Sequence, residues 1–203
     1  MRSGLTIILV LVGLGLLLWF IFGGAYNSMV TLQENTAQKW ALVESQYQRR
    51  NDLFNNVVNT IRGSAEFERG TLEAVVQARA SATQVRVDPK ELSPEQIQQF
   101  QQAQQQYSSA FSRLLVTVEQ YPQLQTTVAF RDFQAQIEGT ENRINKSRDD
   151  FNVAVQEYNT TIKRFPRNLI AGMFGFRDKG YFQAQPGTEN APTVDFSTTP
   201  QAN

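Results

Sequence analysis

With 203 residues the chain has room for one domain plus appendages. Its 19 basic and 19 acidic residues cancel, which removes the simplest case for nucleic acid as a partner, a basic face. Histidine and cysteine are both absent, so no Ser-His-Asp or Cys-His set, no thiolate or imidazole metal site and no Glu-x-x-His di-iron motif can be built, and neither a metal nor a cofactor is expected.

The first element is the apolar run LTIILVLVGLGLLLWFIF at 5–22. As helix it reaches roughly 27 Å, close to the roughly 30 Å of a bilayer's hydrocarbon core. Trp19 and Tyr26 suit the headgroup level. A cleaved signal peptide is the rival reading, with Gly23-Gly24-Ala25 as the small-residue site, but its apolar part should be about 7–15 residues. An uncleaved anchor over 1–25 is the expectation. Arg2 precedes the span and no Lys or Arg follows until Lys39. The positive-inside rule then puts the rest of the chain on the outer face of a cytoplasmic membrane.

From about residue 27 the pattern is helical. Trp40, Val43, Tyr47, Phe54, Val57 and Ile61 recur in steps of three and four, up to a break at Gly63-Ser64. An alanine-rich segment follows at 65–86, then the turn VDPKELSP at 87–94. Ser93 as N-cap, Pro94 at the first position and Gln96 three after the cap open the third helix. QIQQFQQAQQQY looks like low complexity, yet Ile97, Phe100, Gln104, Tyr107, Phe111, Leu114, Val118 and Tyr121 keep the helical period. The glutamines are therefore the wet face of an amphipathic helix. Pro122 ends it. The fourth helix, about 124–165, carries Phe133, Ile137, Ile144, Phe151, Val155, Tyr158, Ile162 and Phe165 on one face and stops at Pro166. NLIAGMFGF (168–176) is apolar and glycine-hinged. The Pro/Thr/Asn-rich end reads as a disordered tail over 183–203.

The expected fold is all-α: an N-terminal transmembrane helix, then an antiparallel up-and-down bundle of four long helices over 26–182. If the first two segments are continuous, a three-helix layout replaces it.

VESQYQRRNDLFNNVVNTIRG, ARA at 78–80, YPQL at 121–124 and IEGTENRINKSRDDFNVAVQEYNTTIKRFPRNLIAGMFGF at 137–176 resemble the LemA family. The likeness runs from Tyr26 to about Phe182. Asn55 departs from it, standing where the family commonly has proline, which favours a straighter first helix. The resemblance implies a bacterial single-span membrane protein with a soluble helical bundle, and no established activity.

One irregularity remains. Between Tyr47 and Phe54 the apolar slot falls on Arg50 or Asn51. In the fourth helix the slots fall on Thr140 or Glu141, and on Ser147 or Arg148. If the two helices are antiparallel neighbours, counting from their membrane ends sets Arg50 level with Glu141 and Glu44 level with Arg148. Two opposite-sign pairs would make a polar layer that fixes register. The bland alternative is snorkelling of the arginines to water. The residue types left for catalysis are carboxylates, Lys, Tyr and Ser; a carboxylate-based hydrolase would use Glu138, Glu141, Asp149 or Asp150, and helix charges are mostly surface.

The expected role is thus a non-catalytic, membrane-anchored interaction or scaffold module with a protein partner or a homo-oligomer, and lipid around the N-terminal helix. The alternative is an extracytoplasmic sensing or substrate-presenting bundle that signals through a partner. Leu169, Ile170, Met173, Phe174 and Phe176 are the candidates for partner or membrane contact, and capping of the bundle end competes with both.

Overall fold

The computed structural model describes residues 2–62, 69–121 and 128–184. Among them every regular element is helical: α1 (Arg2–Arg62), α2 (Arg69–Gln84), α3 (Pro94–Val118), α4 (Val128–Lys163) and α5 (Arg167–Phe174). The expected break at Gly63-Ser64, the side chain of Ile61 and, of the tail expected over 183–203, the residues from 185 onward lie outside the described residues; Gln183 is held by Gln101 and is no part of a disordered tail.

The first helix is one piece of 61 residues. No proline precedes Pro89, and Gly23 and Gly24 cost only about 1 kcal/mol each in a helix interior. Its two halves face different surroundings. The described apolar side chains from Ile7 to Phe20 are all at least half exposed, in a stretch long and apolar enough to cross a membrane. From Met29 onward the same helix buries Thr36, Trp40, Val43, Tyr47, Arg50, Phe54 and Val57 in alternating steps of four and three.

Contact order along the helices gives their directions. Met29 clusters with Tyr158 and Ile162, Trp40 meets Phe151, and Arg50 meets Glu141, so α1 and α4 run antiparallel. Arg79 donates to Asn55 of α1 at 2.6 Å, and α2 packs along α3. The third helix starts with Phe100 beside Trp40 and ends with Phe111 beside Phe54 and Phe133. Its start is capped as expected: Ser93 accepts a hydrogen bond from the Gln96 backbone N–H at 3.3 Å, with Pro94 in the first turn. The Gln96 side chain does not close a full capping box; it reaches Glu91 at 3.5 Å instead.

Three apolar clusters stack along the helices. Met29, Tyr158 and Ile162 sit with α5 nearest the apolar half of α1. Trp40, Tyr47, Phe100, Ile144 and Phe151 form the middle one, and Phe54, Tyr107, Phe111 and Phe133 centre the far one. Phe165 departs from the stripe expected of α4: it lies beyond the helix end and is 80% exposed.

After α5 the chain doubles back. Gly175 takes a left-handed conformation (φ 75°), the backbone geometry that glycine enters without steric penalty. Residues 176–184 then run without helical structure along α4 and across the start of α3. Gly180 donates its N–H to the Leu92 carbonyl at 2.8 Å, so close that a Cβ there would lie 2.7 Å from the Pro94 Cα.

Candidate functional site

The interrupted stripes of three helices meet at one level, between the middle and far clusters. Arg50 and Asn51 are both buried, at 3% and 7% exposure. Arg50 does not snorkel. Its guanidinium donates to Ser108 Oγ at 2.8 Å and to the Gln104 side-chain oxygen, both on α3. It also lies over the rings of Tyr47 and Tyr107, 4.9 and 4.6 Å from their centroids. Glu141 on α4 is 3.5 Å away, with its side chain 41% exposed. The counter-charge therefore sits on the rim, while neutral groups of α3 accept from both terminal nitrogens and the buried Nε–H meets no acceptor.

On α4 the slots in the stripe are filled by the smaller candidates. Thr140 is fully buried and returns its hydroxyl to the Gln136 carbonyl at 2.7 Å. Ser147 does the same to Ile144 at 2.9 Å. Glu141 and Arg148 are thereby displaced to the edges. Glu44 and Arg148, level by residue count, form no ion pair. Arg148 lies over the Phe182 ring at 4.7 Å and donates to the Gln183 carbonyl at 3.3 Å. Glu44 stays exposed, and desolvation raises its pKa, opposed by the nearby Trp40 indole. That indole N–H does not reach hydrogen-bond geometry with any acceptor.

Burial also shapes the tyrosines. Desolvation lifts Tyr107 to about 12, opposed by Arg50 and Arg79, and raises Tyr47 against the pull of Arg148 and Arg50. A buried phenol held neutral beside a guanidinium packs as a ring and offers no base near neutral pH. Glu138 and Asp149 are exposed, and no group of three acidic residues capable of holding a metal occurs among the described residues.

A second constellation, absent from the sequence reading, holds the segment after α5. Asn159 takes both backbone groups of Lys179, donating to its carbonyl and accepting from its N–H at 2.9 Å each. Asn152 does the same with Phe182, also at 2.9 Å, and Gln101 of α3 with Gln183 at 2.8 and 3.0 Å. The register has a simple origin. Seven residues of helix span roughly 10.5 Å, and three residues of extended chain span roughly 10 Å. Asparagines seven apart on one face thus match backbone groups three apart on an extended strap. The strap delivers Phe182 into the middle cluster, its ring 5.6 Å from Phe151 and 6.0 Å from Trp40. It also buries Lys179, whose ammonium donates to the Lys90 carbonyl at 2.8 Å, lies 5.3 Å from the Tyr158 ring, and is drawn down to about 8 by desolvation against the opposing charges of Asp88 and Glu34.

Of the contact candidates in 168–176, the structure divides two faces. Ile170 is buried with Ala171 against Met29, Tyr158 and Ile162, and Phe176 is partly buried there. Leu169, Met173 and Phe174 are 58%, 72% and 57% exposed. Ile170 and Ala171 thus cover the bundle end, Phe174 on their side of the helix leans on Tyr26, and Leu169 and Met173 leave the other face bare.

Among the described residues these features define an all-helical protein with one candidate membrane helix and a buried arginine in its core. The LemA family model matches residues 39–196, and the chain belongs to the LemA family. Relatives include the magnetosome proteins MamQ 2 and MamQ 1 of Paramagnetospirillum magneticum, each 28% identical over 79% of this chain and 65% of their own length. The chain thus spans just under two thirds of these curated relatives. Protein LemA of Metamycoplasma hominis is 24% identical over 82% of this chain and 72% of its own.

Proposed function

We propose that the protein is a membrane-anchored, non-catalytic helical-bundle module of the bacterial cell envelope that works by binding other proteins or further copies of itself. In this reading the helices form an up-and-down four-helix bundle on the outer side of the cytoplasmic membrane. The observation that carries it is the continuity of α1: one helix is bare and apolar over Ile7–Phe20 and a core element of the bundle from Met29 onward. A bundle built that way is an extension of its own anchor. Crosslinking in membranes followed by affinity capture of the full chain should recover a defined partner or a discrete oligomer; recovery of the monomer alone counts against it. Protease added to spheroplasts should digest the bundle while the membrane stays sealed, and full protection reverses the orientation.

One observation favours a second reading, a sensing or substrate-presenting bundle. A cavity of about 720 Å³ opens beside Tyr26, Lys90, Tyr158, Phe176 and Lys179. Occupancy by a small molecule would raise the melting temperature by mass action. A thermal-shift screen that yields no stabilising compound leaves the interaction module as the better account.

A further inference from the structure

We infer that α5 is a second membrane contact, lying in the headgroup layer of the bilayer that α1 spans, with Leu169 and Met173 turned into lipid. The inference rests on the membrane-anchor reading above and deepens it by naming lipid as the occupant of the bare face.

Three observations converge on it. The first is the division of α5 itself: Ile170 and Ala171 are 1% and 4% exposed, whereas Met173 is 72% exposed and Phe165, just before the helix, 80%. So much large apolar surface on one short element calls for a cover. The second is depth. Tyr26 touches Phe174 and Phe176, with ring centroids 4.9 and 5.7 Å away. It stands four residues beyond Phe22, where the apolar run ends, or roughly 6 Å along the helix. That is the level at which amphipathic helices and aromatic anchors rest in a bilayer. A protein docked on Leu169 and Met173 would have to share this space with headgroups, whereas lipid fills it without competition.

Charge supplies the third. Arg167 opens α5 and Arg164 and Arg177 flank it, and none of the three forms an ion pair among the described residues; Lys163 holds Asp178 at 2.7 Å. Unpaired arginines around an apolar face suit anionic lipid phosphates. The left-handed turn at Gly175 then lifts the chain off the bilayer and back along the bundle as the strap. With α1 and α5 both in contact with lipid, the bundle is held at two points, which fixes its tilt.

Because the chain has no cysteine, single spin labels can report the local medium in the full-length protein reconstituted into phosphatidylglycerol-containing vesicles. Labels at Leu169→Cys and Met173→Cys should collide with oxygen in preference to a water-soluble nickel chelate, as should a control at Leu11→Cys. A label at Val116→Cys, 60% exposed at the far end of α3, should show the reverse preference. If Leu11→Cys lies in lipid while Leu169→Cys and Met173→Cys meet the chelate freely, α5 is in water and the inference is overturned. If those two labels meet neither reagent, protein covers the face, and the inference again fails. An aqueous Leu11→Cys label would overturn the anchor reading itself, independently of the α5 labels.

Discussion

Arg50 keeps its charge among groups that are mostly neutral. Gln104 and Ser108 accept from its two terminal nitrogens, and the Tyr47 and Tyr107 ring centroids lie 4.9 and 4.6 Å from the guanidinium. Glu141 contributes from the rim at 3.5 Å and half in water, where an ion pair is worth about 0–1 kcal/mol. Hydrogen bonds to a charged group are worth more, about 1.5–3 kcal/mol. A double-mutant cycle should therefore give a small coupling for Arg50→Met with Glu141→Gln, and a larger one for Arg50→Met with Gln104→Leu. Arg50→Met alone leaves the buried Gln104 oxygen without a donor, a loss of about 1–3 kcal/mol in denaturant unfolding. Equal couplings to Glu141 and Gln104 would contradict this ranking. The residue that carries the effect was visible in the sequence all along: Gln104 occupies an apolar slot of α3, as Arg50 does of α1. Counting along two helices matched acid to base and passed over an uncharged partner on the third.

At the scale of the element, the strap contributes what the four long helices lack. Between Phe176 and Ala184 its backbone has no helix to satisfy it, and side-chain amides of α3 and α4 supply the partners. Asn159→Ala would strip both backbone groups of the buried Lys179, costing about 1–3 kcal/mol for each group left unpaired. Phe182→Ala would open a cavity among Trp40, Phe100 and Phe151, worth about 3–5 kcal/mol. Deletion of 168–203 removes α5 and the strap together and should lower the melting temperature clearly, whereas deletion of 186–203 should leave it unchanged. Equal melting of the two truncations would show that the strap holds nothing. Periodicity could find the helices because each buries a stripe at helical spacing; the strap has no period. Its signal is indirect, in Asn152 and Asn159 standing seven apart on the buried side of α4, and it takes the returning chain to give that spacing a meaning.

For the molecule as a whole, legibility followed burial. Every residue of the α3 stripe from Ile97 to Val118 is buried, because the helical period is what packing against α1, α2 and α4 requires. Phe165 keeps the spacing of the α4 stripe but lies past the helix end, where the chain turns and the period no longer constrains a side chain. The buried titratable groups give the whole fold a pH profile. Lys179 has a pKa of about 8 when folded and an ordinary one near 10.5 when unfolded. Between these values the unfolded chain binds more protons, so stability rises as pH rises from about 8 towards 10. Tyr107 and Tyr158, pushed up by desolvation to about 12 from 10, act in the opposite sense. Above pH 10 the unfolded state loses their protons while the folded state keeps them, and stability falls through about pH 12. Denaturant unfolding of the detergent-solubilised chain should thus show a maximum near pH 10. Lys179→Met should abolish the rise on the low side and leave the fall above pH 10 in place. A parent profile that declines steadily from pH 8 would mean that the ammonium is not penalised by burial, and that the Lys90 and Glu91 carbonyls fully replace the water it gave up.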